Sequence, residues 1–352
     1  MRIGIIGAAG KIGQMRVATV LANPSTTLAA VMDLAKDKAA ALSPGVPAFD
    51  RLDAFLATPM DAVIISTPAH VREPLCLAAF DRGLDVLTEK PLSNTPDGAR
   101  RILAAAKAKG RMLGAGFNMR YYTSFAYAWD LMRSGALGEI DHIRVYGGHS
   151  GLTNFTHDWE YKSEFSGGGA MWDVGIHMTD MARHFLGEIT SVYGVATNKV
   201  WQVPGSEDNA VAIFRNPAGI PAIYHATWND WKGYKSAIEV YGSKGMVRAQ
   251  YAPMQNLEIL MDSPGGAARR KTRFYPEIML REKLKSWKTT AVASFAGELA
   301  DFVALCEGKD SPRIADGHAG LRAIEVAAAV AESTRTGQAV TLPDLGRMRR
   351  GG

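Results

Sequence analysis

Two aspartates and two histidines recur along one segment of the chain at i, i+4, i+7 and i+11. On a helix this spacing places all four on one stripe. They are Asp173, His177, Asp180 and His184. A neighbouring stripe is wholly apolar and would pack into a core; it comprises Met171, Val174, Met178, Met181 and Phe185. Because carboxylates and imidazoles are costly to bury unless they are paired or employed, the pattern predicts a helix that presents acid–base chemistry.

The chain opens with a strand, a glycine turn and a helix. Residues 2–7 read as a short apolar strand, and a helical run follows the turn to about Leu21. Such a turn brings backbone N–H groups to a pyrophosphate at the helix N-terminus, so it predicts a dinucleotide site. The glycine spacing is G-x-x-G-x-x-G rather than the usual G-x-G-x-x-G, which reshapes the turn by one residue. The residues expected to contact the cofactor here are Gly7, Ala9, Gly10, Lys11 and Ile12.

An acidic residue, Asp33, ends the next predicted strand, 26 residues after Gly7. A carboxylate at this point accepts hydrogen bonds from the adenosine ribose and repels a 2′-phosphate, which favours NAD over NADP. No arginine follows to hold a phosphate, but Lys36 and Lys38 are close enough that NADP remains possible. The alternative role of Asp33 is to cap the following helix.

The dinucleotide pattern bears on how the acid–base stripe is interpreted. On its own, such a stripe is most often a solvated helix face, and D-x3-H-x2-D-x3-H is also a plausible spacing of metal ligands. Three glycines at 167–169 precede the stripe and allow a backbone or a ligand to approach closely. With a cofactor site upstream in the chain, we expect catalysis without a bound metal.

Strands and helices continue to alternate beyond the second strand. Buried strands are predicted at 61–67, 84–88 and 111–117, with helices between them. Alternating elements of this kind form right-handed βαβ units and a doubly wound parallel sheet, in which ligands bind outside the carboxyl ends of the strands. His70 either contacts the cofactor or caps its helix. Four residues are predicted to lie at the strand ends: Thr67, Pro68, Lys90 and Asn118.

Five motifs in the right order give a specific resemblance. They are the glycine turn, STPAH at 66–70, TEKPL at 88–92, GFNMRY at 116–121 and GGGAMWDVGIHMTD at 167–180. Over nearly the whole chain the sequence resembles the glucose–fructose oxidoreductase, inositol dehydrogenase and related sugar dehydrogenase (Gfo/Idh/MocA) family. The resemblance implies an α/β protein of two domains. The first is an N-terminal Rossmann domain, and the second is an α+β domain with a large, mostly antiparallel open sheet that makes oligomer contacts.

The resemblance also implies that Lys90 is catalytic, with Asp173 and His177 acting beside it, and elementary chemistry agrees. Oxidation of a secondary alcohol requires loss of the hydroxyl proton as hydride leaves for the nicotinamide. His177 is the best base because imidazole titrates nearest to neutrality, and Lys90 can stabilise the developing alkoxide. Asp173 can orient the imidazole or bind a neighbouring hydroxyl. His184 is expected to have a structural role.

Further residues are assigned to the cofactor or the substrate. In the family, the residue that matches Asn118 lies near the nicotinamide and the one that matches Arg120 lies near the substrate. The alternatives are a turn asparagine and a surface arginine. Asp180 is a second candidate for binding a substrate hydroxyl. Aromatic residues gather around Trp159 and either stack on a sugar as a lid or pack into the core. The remaining assignments are Glu89 to the cofactor, and Trp159 and Trp172 to the substrate.

The second half of the chain reads as a meander sheet closed by helices. Strands are predicted near 140–147, 191–198, 210–214, 221–228 and 236–241, and closing helices at 292–306 and 315–334. We divide the chain into a Rossmann domain at 1–120, a substrate-binding and oligomerisation domain at 121–345, and a basic tail at 346–352. The resemblance implies a homodimer or homotetramer formed through the second sheet.

The composition is that of a globular chain with moderate positive charge. The 352 residues are 47% hydrophobic and 21% charged, with a net charge of +5. Basic residues concentrate at 269–273 and 281–288, which we interpret as solvated loop; the alternative is an arm that reaches a neighbouring subunit or an acidic substrate. No nucleic-acid motif accompanies the charge, no membrane span is evident, and the two cysteines, Cys76 and Cys306, show neither metal-ligand spacing nor a disulfide framework. We expect a cytoplasmic protein that binds neither nucleic acid nor membranes.

The sequence therefore predicts an NAD-dependent enzyme that reversibly oxidises a secondary hydroxyl of a sugar, inositol or related polyol. One alternative is a redox-neutral enzyme with tightly bound NAD(P), which exchanges hydride between sugars or cleaves glycosides through transient oxidation. Another, from a different class, is a non-catalytic dinucleotide-dependent sensor or repressor on the same fold. Its expected mark is a missing lysine or histidine, and this chain has both Lys90 and His177.

Overall fold

The computed structural model describes residues 1–155 and 158–343, which form two compact units. Unit 1 comprises Met1–Tyr121 and Glu282–Leu321; unit 2 comprises Tyr122–Arg281 and the described residues from Arg322 onward. The division predicted at residue 120 placed both closing helices in the second domain, whereas here 282–321 belongs to unit 1. The basic tail predicted at 346–352 lies outside the described residues.

The first part of unit 1 alternates strands and helices. Apolar runs rich in Ile and Val form strands that are buried on both faces, as is typical of a parallel sheet. One helix begins at Pro96, where the Thr95 hydroxyl caps it by accepting a hydrogen bond from Gly98 N–H at 3.1 Å. In chain order the elements are β1 (Arg2–Ile6), α1 (Lys11–Ala22), β2 (Thr27–Met32), α2 (Lys36–Ala41), β3 (Ala48–Phe49), α3 (Leu52–Leu56), β4 (Ala62–Ile65), α4 (Arg72–Asp81), β5 (Asp85–Glu89), α5 (Pro96–Ala108) and β6 (Leu113–Gly116).

The six strands of unit 1 form one parallel sheet in the order β3-β2-β1-β4-β5-β6. This confirms the doubly wound sheet expected from the sequence, although β6 is shorter than the strand predicted at 111–117. The strand order reverses between β1 and β4. In sheets of this kind the ligand binds at such a reversal, outside the carboxyl ends of the strands.

Unit 2 is built around a long mixed sheet. The elements that follow β6 are α6 (Thr123–Arg133), β7 (Ile140–Gly148), α7 (Ser163–Ser166), α8 (Val174–Leu186), β8 (Ser191–Thr197), β9 (Asn209–Arg215), β10 (Pro221–Thr227), β11 (Lys235–Gly242), β12 (Gly245–Tyr251), β13 (Gln255–Met261), β14 (Ala268–Phe274), α9 (Pro276–Lys285), α10 (Lys288–Cys306), α11 (Gly317–Thr336) and β15 (Val340–Thr341). Helix α10 and the start of α11 belong to unit 1, and α9 spans the boundary.

Nine strands make up the sheet of unit 2, in the order β14-β13-β12-β11-β7-β10-β9-β8-β15. Only β7 and β10 pair in parallel, so the mostly antiparallel open sheet implied by the resemblance is confirmed. Helix α8 covers one face closely: a Cβ at Gly147 of β7 would lie 2.7 Å from the Met178 side chain. The helix that carries the acid–base stripe is thus fixed against the two central strands.

Helix α10 is the one helix among the described residues that is long and apolar enough to cross a membrane, judged by length and composition. Its Leu299, Phe302 and Val303 are buried in the core of unit 1, against residues of β1 such as Ile3 and Ile5. This packing accounts for its apolar composition.

The basic segments were interpreted as solvated loop, which was wrong, because their backbone forms a strand and a helix. Residues 268–274 form β14, which pairs along its length with β13, and residues 276–285 form α9. The side chains of β14 are largely exposed, because β14 is an edge strand. Charged side chains on an edge strand lack the alternating pattern of a buried strand, so the sequence does not reveal it. Strands β12 and β13 were not predicted either.

Candidate active site

Backbone N–H groups at the start of α1 form the cofactor part of the candidate site. Gly7 has a φ of +81°, a left-handed conformation that favours glycine, and its N–H donates to Met32 O at 2.8 Å. At Gly13 a Cβ atom would lie 1.9 Å from the Gly7 carbonyl oxygen, so only glycine lets α1 start this close to β1. The first N–H groups of a helix have no intrahelical partners. Those of α1, which follow Gly10, fit the pyrophosphate of a dinucleotide.

The Asp33 carboxylate lies beside the glycine turn, directly after β2. Its Oδ2 accepts a hydrogen bond from Ala9 N–H at 2.9 Å, and its Oδ1 accepts one from Ala35 N–H at 2.9 Å. Each carboxylate oxygen has a second lone pair, so the half-buried group can also accept hydrogen bonds from ribose hydroxyls. The N-cap residue of α2 is Ala35, which makes no side-chain cap hydrogen bond. Because Asp33 accepts a hydrogen bond from the N–H of Ala35, it also supports the start of α2.

Two buried hydroxyls after β4 lie next to this turn. Ser66 Oγ and Thr67 Oγ1 have no hydrogen-bond partner within the described part of the chain. A Cβ on Gly7 would lie only 2.8 Å from the Ser66 carbonyl oxygen, so the glycine turn packs directly on this strand end. Buried polar atoms without partners fit a bound group that supplies them. These hydroxyls and the α1 N–H groups therefore fit a dinucleotide.

The remaining cofactor residues of the glycine turn and of the β4 end are placed as follows. Lys11 Nζ lies 4.8 Å from the centroid of the Trp287 ring, and Ile12 packs against a small apolar cluster near the start of α10. Pro68 precedes a short 3-10 helix, Ala69–Val71, which contains His70. The N-cap residues of that helix and of α4 are Pro68 and Val71, and neither makes a side-chain cap hydrogen bond. Whether His70 contacts the cofactor or caps its helix stays a prediction.

Lys90 follows β5 and is half-buried, and the residue before it belongs to a buried charge cluster. Arg16 Nε donates to Glu89 Oε1 at 2.8 Å, and Arg16 Nη2 also lies 2.6 Å from Glu298 Oε2. Burial raises the pKa of Glu298 to about 7, although the positive charge of Arg16 opposes the rise. The Glu89 side chain is therefore fixed within the core, which leaves its cofactor-binding role a prediction.

A second buried arginine, Arg72 at the start of α4, was not recognised from the sequence. Its guanidinium donates to the main-chain carbonyl oxygens of Thr67, Glu89 and Pro91. One of these partners, Thr67, is itself a predicted site residue, and the other two flank Lys90. The only sequence signal was an arginine five residues beyond a strand end, which by itself reads as a surface residue.

The GFNMRY motif is anchored within unit 1. Asn118 Nδ2 donates to Ser294 Oγ at 2.8 Å, and Arg120 Nη1 donates to the carbonyl oxygens of Arg313 at 3.2 Å and Ile314 at 3.1 Å. Arg120 is buried rather than the surface arginine of the alternative interpretation. These contacts are structural, so the cofactor role of Asn118 and the substrate role of Arg120 stay predictions.

In unit 2 the three glycines before α8 admit a protein backbone. A Cβ at Gly169 would lie 1.9 Å from the Glu207 carbonyl oxygen. The Glu207 carboxylate accepts hydrogen bonds from Met171 N–H at 2.7 Å and Gly169 N–H at 3.1 Å, and burial raises its pKa. The helix that was expected to open at the glycines begins later, at Val174, because the intervening residues form turns held by Glu207.

Asp173 precedes α8 and is held by two N–H donors. Gly151 N–H donates to His149 Nδ1 at 3.1 Å, so the ring proton of neutral His149 resides on Nε2 and is donated to Asp173 Oδ2 at 2.6 Å. Trp228 Nε1 donates to the same oxygen at 3.3 Å. Sequence reasoning missed His149, a single histidine after a Gly-Gly pair with no recognisable spacing to Asp173.

The other members of the stripe lie within α8. His177 and Asp180 are both buried, Asp180 to 1% exposure. His184 stacks on Trp129 with a ring-centroid distance of 4.6 Å and an interplanar angle of 10°, in line with its expected structural role. His177 and Asp180 are therefore covered by protein, whereas Asp173 and His184 are half-buried. The stripe is not the solvated helix face of the alternative interpretation.

The aromatic residues assigned to the substrate or its lid lie in different surroundings. Trp172 packs over Gly168 and lines a cavity of about 350 Å³ together with residues of α11. Trp159 is half-buried in a short 3-10 helix, Asp158–Tyr161. Phe155 packs edge-on against Trp228, which supports core packing for that residue. The middle of the predicted lid, 156–157, lies outside the described residues.

A metal site is the alternative that the D-x3-H-x2-D-x3-H spacing raised. Within residues 1–155 and 158–343, no group of three or more His, Cys, Asp or Glu side chains is arranged to hold a metal ion. The two aspartates and two histidines of the stripe do not form such a group in the part of the chain that the structure describes.

Two family models match this chain, one over its N-terminal part and one over the segment that follows. Residues 1–117 match the oxidoreductase family with an NAD-binding Rossmann fold, and residues 125–248 match the GFO/IDH/MocA C-terminal domain. Inositol 2-dehydrogenase of Rhizobium meliloti (strain 1021) is 28% identical over 341 residues, which cover 95% of this chain and 96% of that protein. Inositol 2-dehydrogenase 4 of Saccharopolyspora erythraea is 32% identical over 247 residues, 68% of this chain and 70% of that one.

A solved structure also resembles this fold. Levoglucosan dehydrogenase in complex with NADH and L-sorbose superposes with a TM-score of 0.84 at 22% sequence identity, covering 98% of this chain and 99% of that chain. At this identity the likeness concerns the fold.

Proposed function

This chain belongs to the GFO/IDH/MocA family of NAD-dependent oxidoreductases, and from that premise we propose the reaction that it catalyses. It reversibly oxidises a secondary hydroxyl of a sugar, inositol or related polyol. Lys90, Asp173 and His177 are the residues that handle the proton. The substrate class follows from relatives that are named inositol 2-dehydrogenases.

The observation that supports catalysis best is the environment of Asp173. A carboxylate that accepts N–H bonds from His149 and Trp228 directly before the helix of His177 is held in one orientation. A surface aspartate needs no such support. A fixed carboxylate next to the helix of a buried histidine is typical of a site with acid–base chemistry, so it favours an enzyme over a sensor without chemistry.

The residues divide the chemistry as follows. Lys90 donates a hydrogen bond to the reacting hydroxyl oxygen and stabilises negative charge as it develops. His177 accepts the hydroxyl proton. Asp173 binds a neighbouring hydroxyl and orients the ring of the substrate. NAD, when bound, supplies the hydride acceptor, and the N–H groups after Gly10 together with Asp33 hold its pyrophosphate and ribose.

The experiment that tests this proposal measures absorbance at 340 nm with a panel of polyols and sugars that includes myo-inositol and levoglucosan. The panel is run with NAD and with NADP. We expect NADH formation with at least one polyol. If no NADH forms and denaturation releases stoichiometric nucleotide, the redox-neutral alternative replaces this proposal. If nucleotide binds weakly and nothing in the panel turns over, the sensor alternative is favoured.

We expect Asp33→Ala to weaken NAD and to reduce the preference for it over NADP. Removing a carboxylate that accepts hydrogen bonds from the ribose costs about 1.5–3 kcal/mol, so the KM for NAD rises by at least about tenfold. The KM for NADP changes less, because the repulsion of its 2′-phosphate is lost at the same time. Initial rates with both cofactors measure this, and Asp37→Ala, an exposed residue on α2, is the matched control. An unchanged NAD/NADP ratio would contradict the role of Asp33.

The open face of the unit 2 sheet supports a homodimer or homotetramer. In register across three strands, Tyr193, Ile213 and Ile223 form one row, and Val195 and Val211 continue the next. All five side chains are more than two-fifths exposed. A contiguous apolar patch on a flat sheet is typical of an interaction surface. The occupant that we propose is a second copy of the chain.

Ile213→Lys should therefore dissociate the oligomer. The side chain is 46% exposed at the centre of the patch, and an unpaired charge there would be desolvated on association. Light scattering after size exclusion should report the monomer mass for this variant and a multiple of it for the wild type. Leu21→Lys, which replaces an exposed leucine on α1, should leave the oligomer intact. A wild-type chain that is already monomeric would overturn the proposal.

A further inference from the structure

One buried guanidinium joins two loops of the candidate site. Arg72 is 4% exposed and is the first residue of α4. Its Nε and Nη2 donate to Thr67 O at 2.9 and 2.6 Å. Its Nη1 donates to Glu89 O at 2.7 Å and also to Pro91 O. The planar guanidinium therefore ties the loop after β4 to the loop after β5.

The carbonyl partners of Arg72 lie on either side of Lys90. Glu89 O precedes the lysine and Pro91 O follows it, so the backbone of Lys90 is held from both sides. Arg16 fixes the Glu89 side chain separately, through the bond at 2.8 Å. A guanidinium presents its N–H donors in a rigid plane. Its hydrogen bonds therefore hold the Thr67 carbonyl at a fixed distance from the two carbonyls that flank Lys90.

Burying this charge is costly. Burial lowers the pKa of Arg72 to about 10, with the negative charge of Glu89 opposing the shift, so the group still carries its charge at neutral pH. The four hydrogen bonds described above all go to main-chain carbonyls. For packing alone, a hydrophobic side chain of similar volume would avoid the desolvation. The buried guanidinium of Arg72 donates to both loops, which indicates that it defines the geometry of those loops.

We propose that Arg72 is a positioning residue that places Lys90 for catalysis by fixing the loop after β5 against the loop after β4. The inference rests on the proposed function, because it takes Lys90 to act on the substrate hydroxyl. Arg72 itself need not touch the substrate or NAD. Its effect passes through the position of Lys90, whose misplacement by about 1 Å costs on the order of a hundredfold in rate.

The test compares Arg72→Lys and Arg72→Met with the wild type and with Arg322→Met. Arg322 is another fully buried arginine, ion-paired with Glu188 and Glu325 in unit 2, and serves as the matched control. Using the polyol that turns over in the panel, we expect Arg72→Lys to lower kcat by between about ten- and a hundredfold. The Kd for NADH should stay within about threefold. Arg322→Met should lower Tm but leave kcat per folded molecule unchanged.

A second readout needs neither substrate nor cofactor. The rate of reductive methylation of Lys90 in the free protein is followed against pH by peptide mass spectrometry, with exposed Lys199 as the internal reference. A displaced lysine has a different environment, so the pH midpoint for Lys90 should move by at least about half a unit in Arg72→Lys, and that for Lys199 should not. If Arg72→Met does not fold, Arg72→Lys, which keeps the charge, tests the positioning role by itself.

Failure of the positioning role of Arg72 can be distinguished from failure of the proposed function. If Arg72→Lys has wild-type kcat and an unchanged labelling midpoint while Lys90→Met is inactive, the positioning role is overturned and the proposed function stands. If Lys90→Met is itself active, the catalytic assignment fails first. A lowered Tm with unchanged kcat in Arg72→Lys would reduce Arg72 to a stabilising residue and also overturn the inference.

Discussion

Lys90→Met should lower kcat for polyol oxidation by about a thousandfold. Methionine keeps the length and most of the volume of the side chain but removes the cation that stabilises the developing alkoxide, a contribution of about 10²–10⁴-fold for a positioned group. The Kd for NADH should change little, since we propose that the α1 N-terminus and Asp33 hold the pyrophosphate and the ribose. Steady-state rates at 340 nm and NADH fluorescence titration measure the two effects.

The matched control for this variant is Lys199→Met, which replaces an exposed lysine of unit 2 and should leave kcat unchanged. A Lys90→Met enzyme with kcat within about tenfold of the wild type would show that the lysine does not supply the proposed stabilisation of the developing alkoxide. A loss of NADH binding in the variant would instead move Lys90 to a cofactor-binding role.

Gly13→Ala should weaken cofactor binding and destabilise the fold. A Cβ at this position would lie 1.9 Å from Gly7 O and 2.8 Å from Ala8 Cα. Both contacts are with backbone, so α1 must move away from β1 and displace the N–H groups that we propose hold the pyrophosphate. Overpacking of this kind costs up to about 3 kcal/mol. Urea unfolding and NADH titration should show a lower free energy of unfolding and an affinity for NADH reduced at least tenfold, about 1.4 kcal/mol.

Gly10→Ala separates the two effects. There the nearest atom to the added methyl group would be Gly7 O at 3.4 Å, and Gly10 has an ordinary extended backbone, with φ of −68° and ψ of 161°. This variant should fold with wild-type stability. Any loss of NADH affinity then reports the close approach of the pyrophosphate to Gly10. Equal destabilisation by both substitutions would show that the turn is intolerant in general, which the contact distances contradict.

Local patterns made the first unit predictable. Hydrophobic runs, the glycine turn and the acid at the end of β2 each depend on a few neighbouring residues, and a parallel sheet follows from their alternation. The same holds for the apolar stripe of α8. Edge strand β14 was missed because its charged side chains face solvent, so its sequence carries no alternation.

The supporting contacts of the site could not be predicted in the same way. His149 reaches Asp173 only because β7 and the turn before α8 are neighbours in the fold, and Arg16 reaches Glu298 across nearly the whole of the chain. Glu207 likewise binds a loop that precedes it by more than thirty residues. Such pairs depend on tertiary packing and have no short-range spacing, whereas the residues that they hold belong to recognisable motifs.

In the proposed reaction, hydride passes from a carbinol carbon of a polyol to NAD on this protein. The most direct measurement uses the polyol that turns over in the panel, deuterated at its carbinol carbons, with mass spectrometry of the NADH formed. We expect NADH one mass unit heavier than with unlabelled polyol, and a slower reaction. NADH of unchanged mass, or none with any polyol, would contradict it.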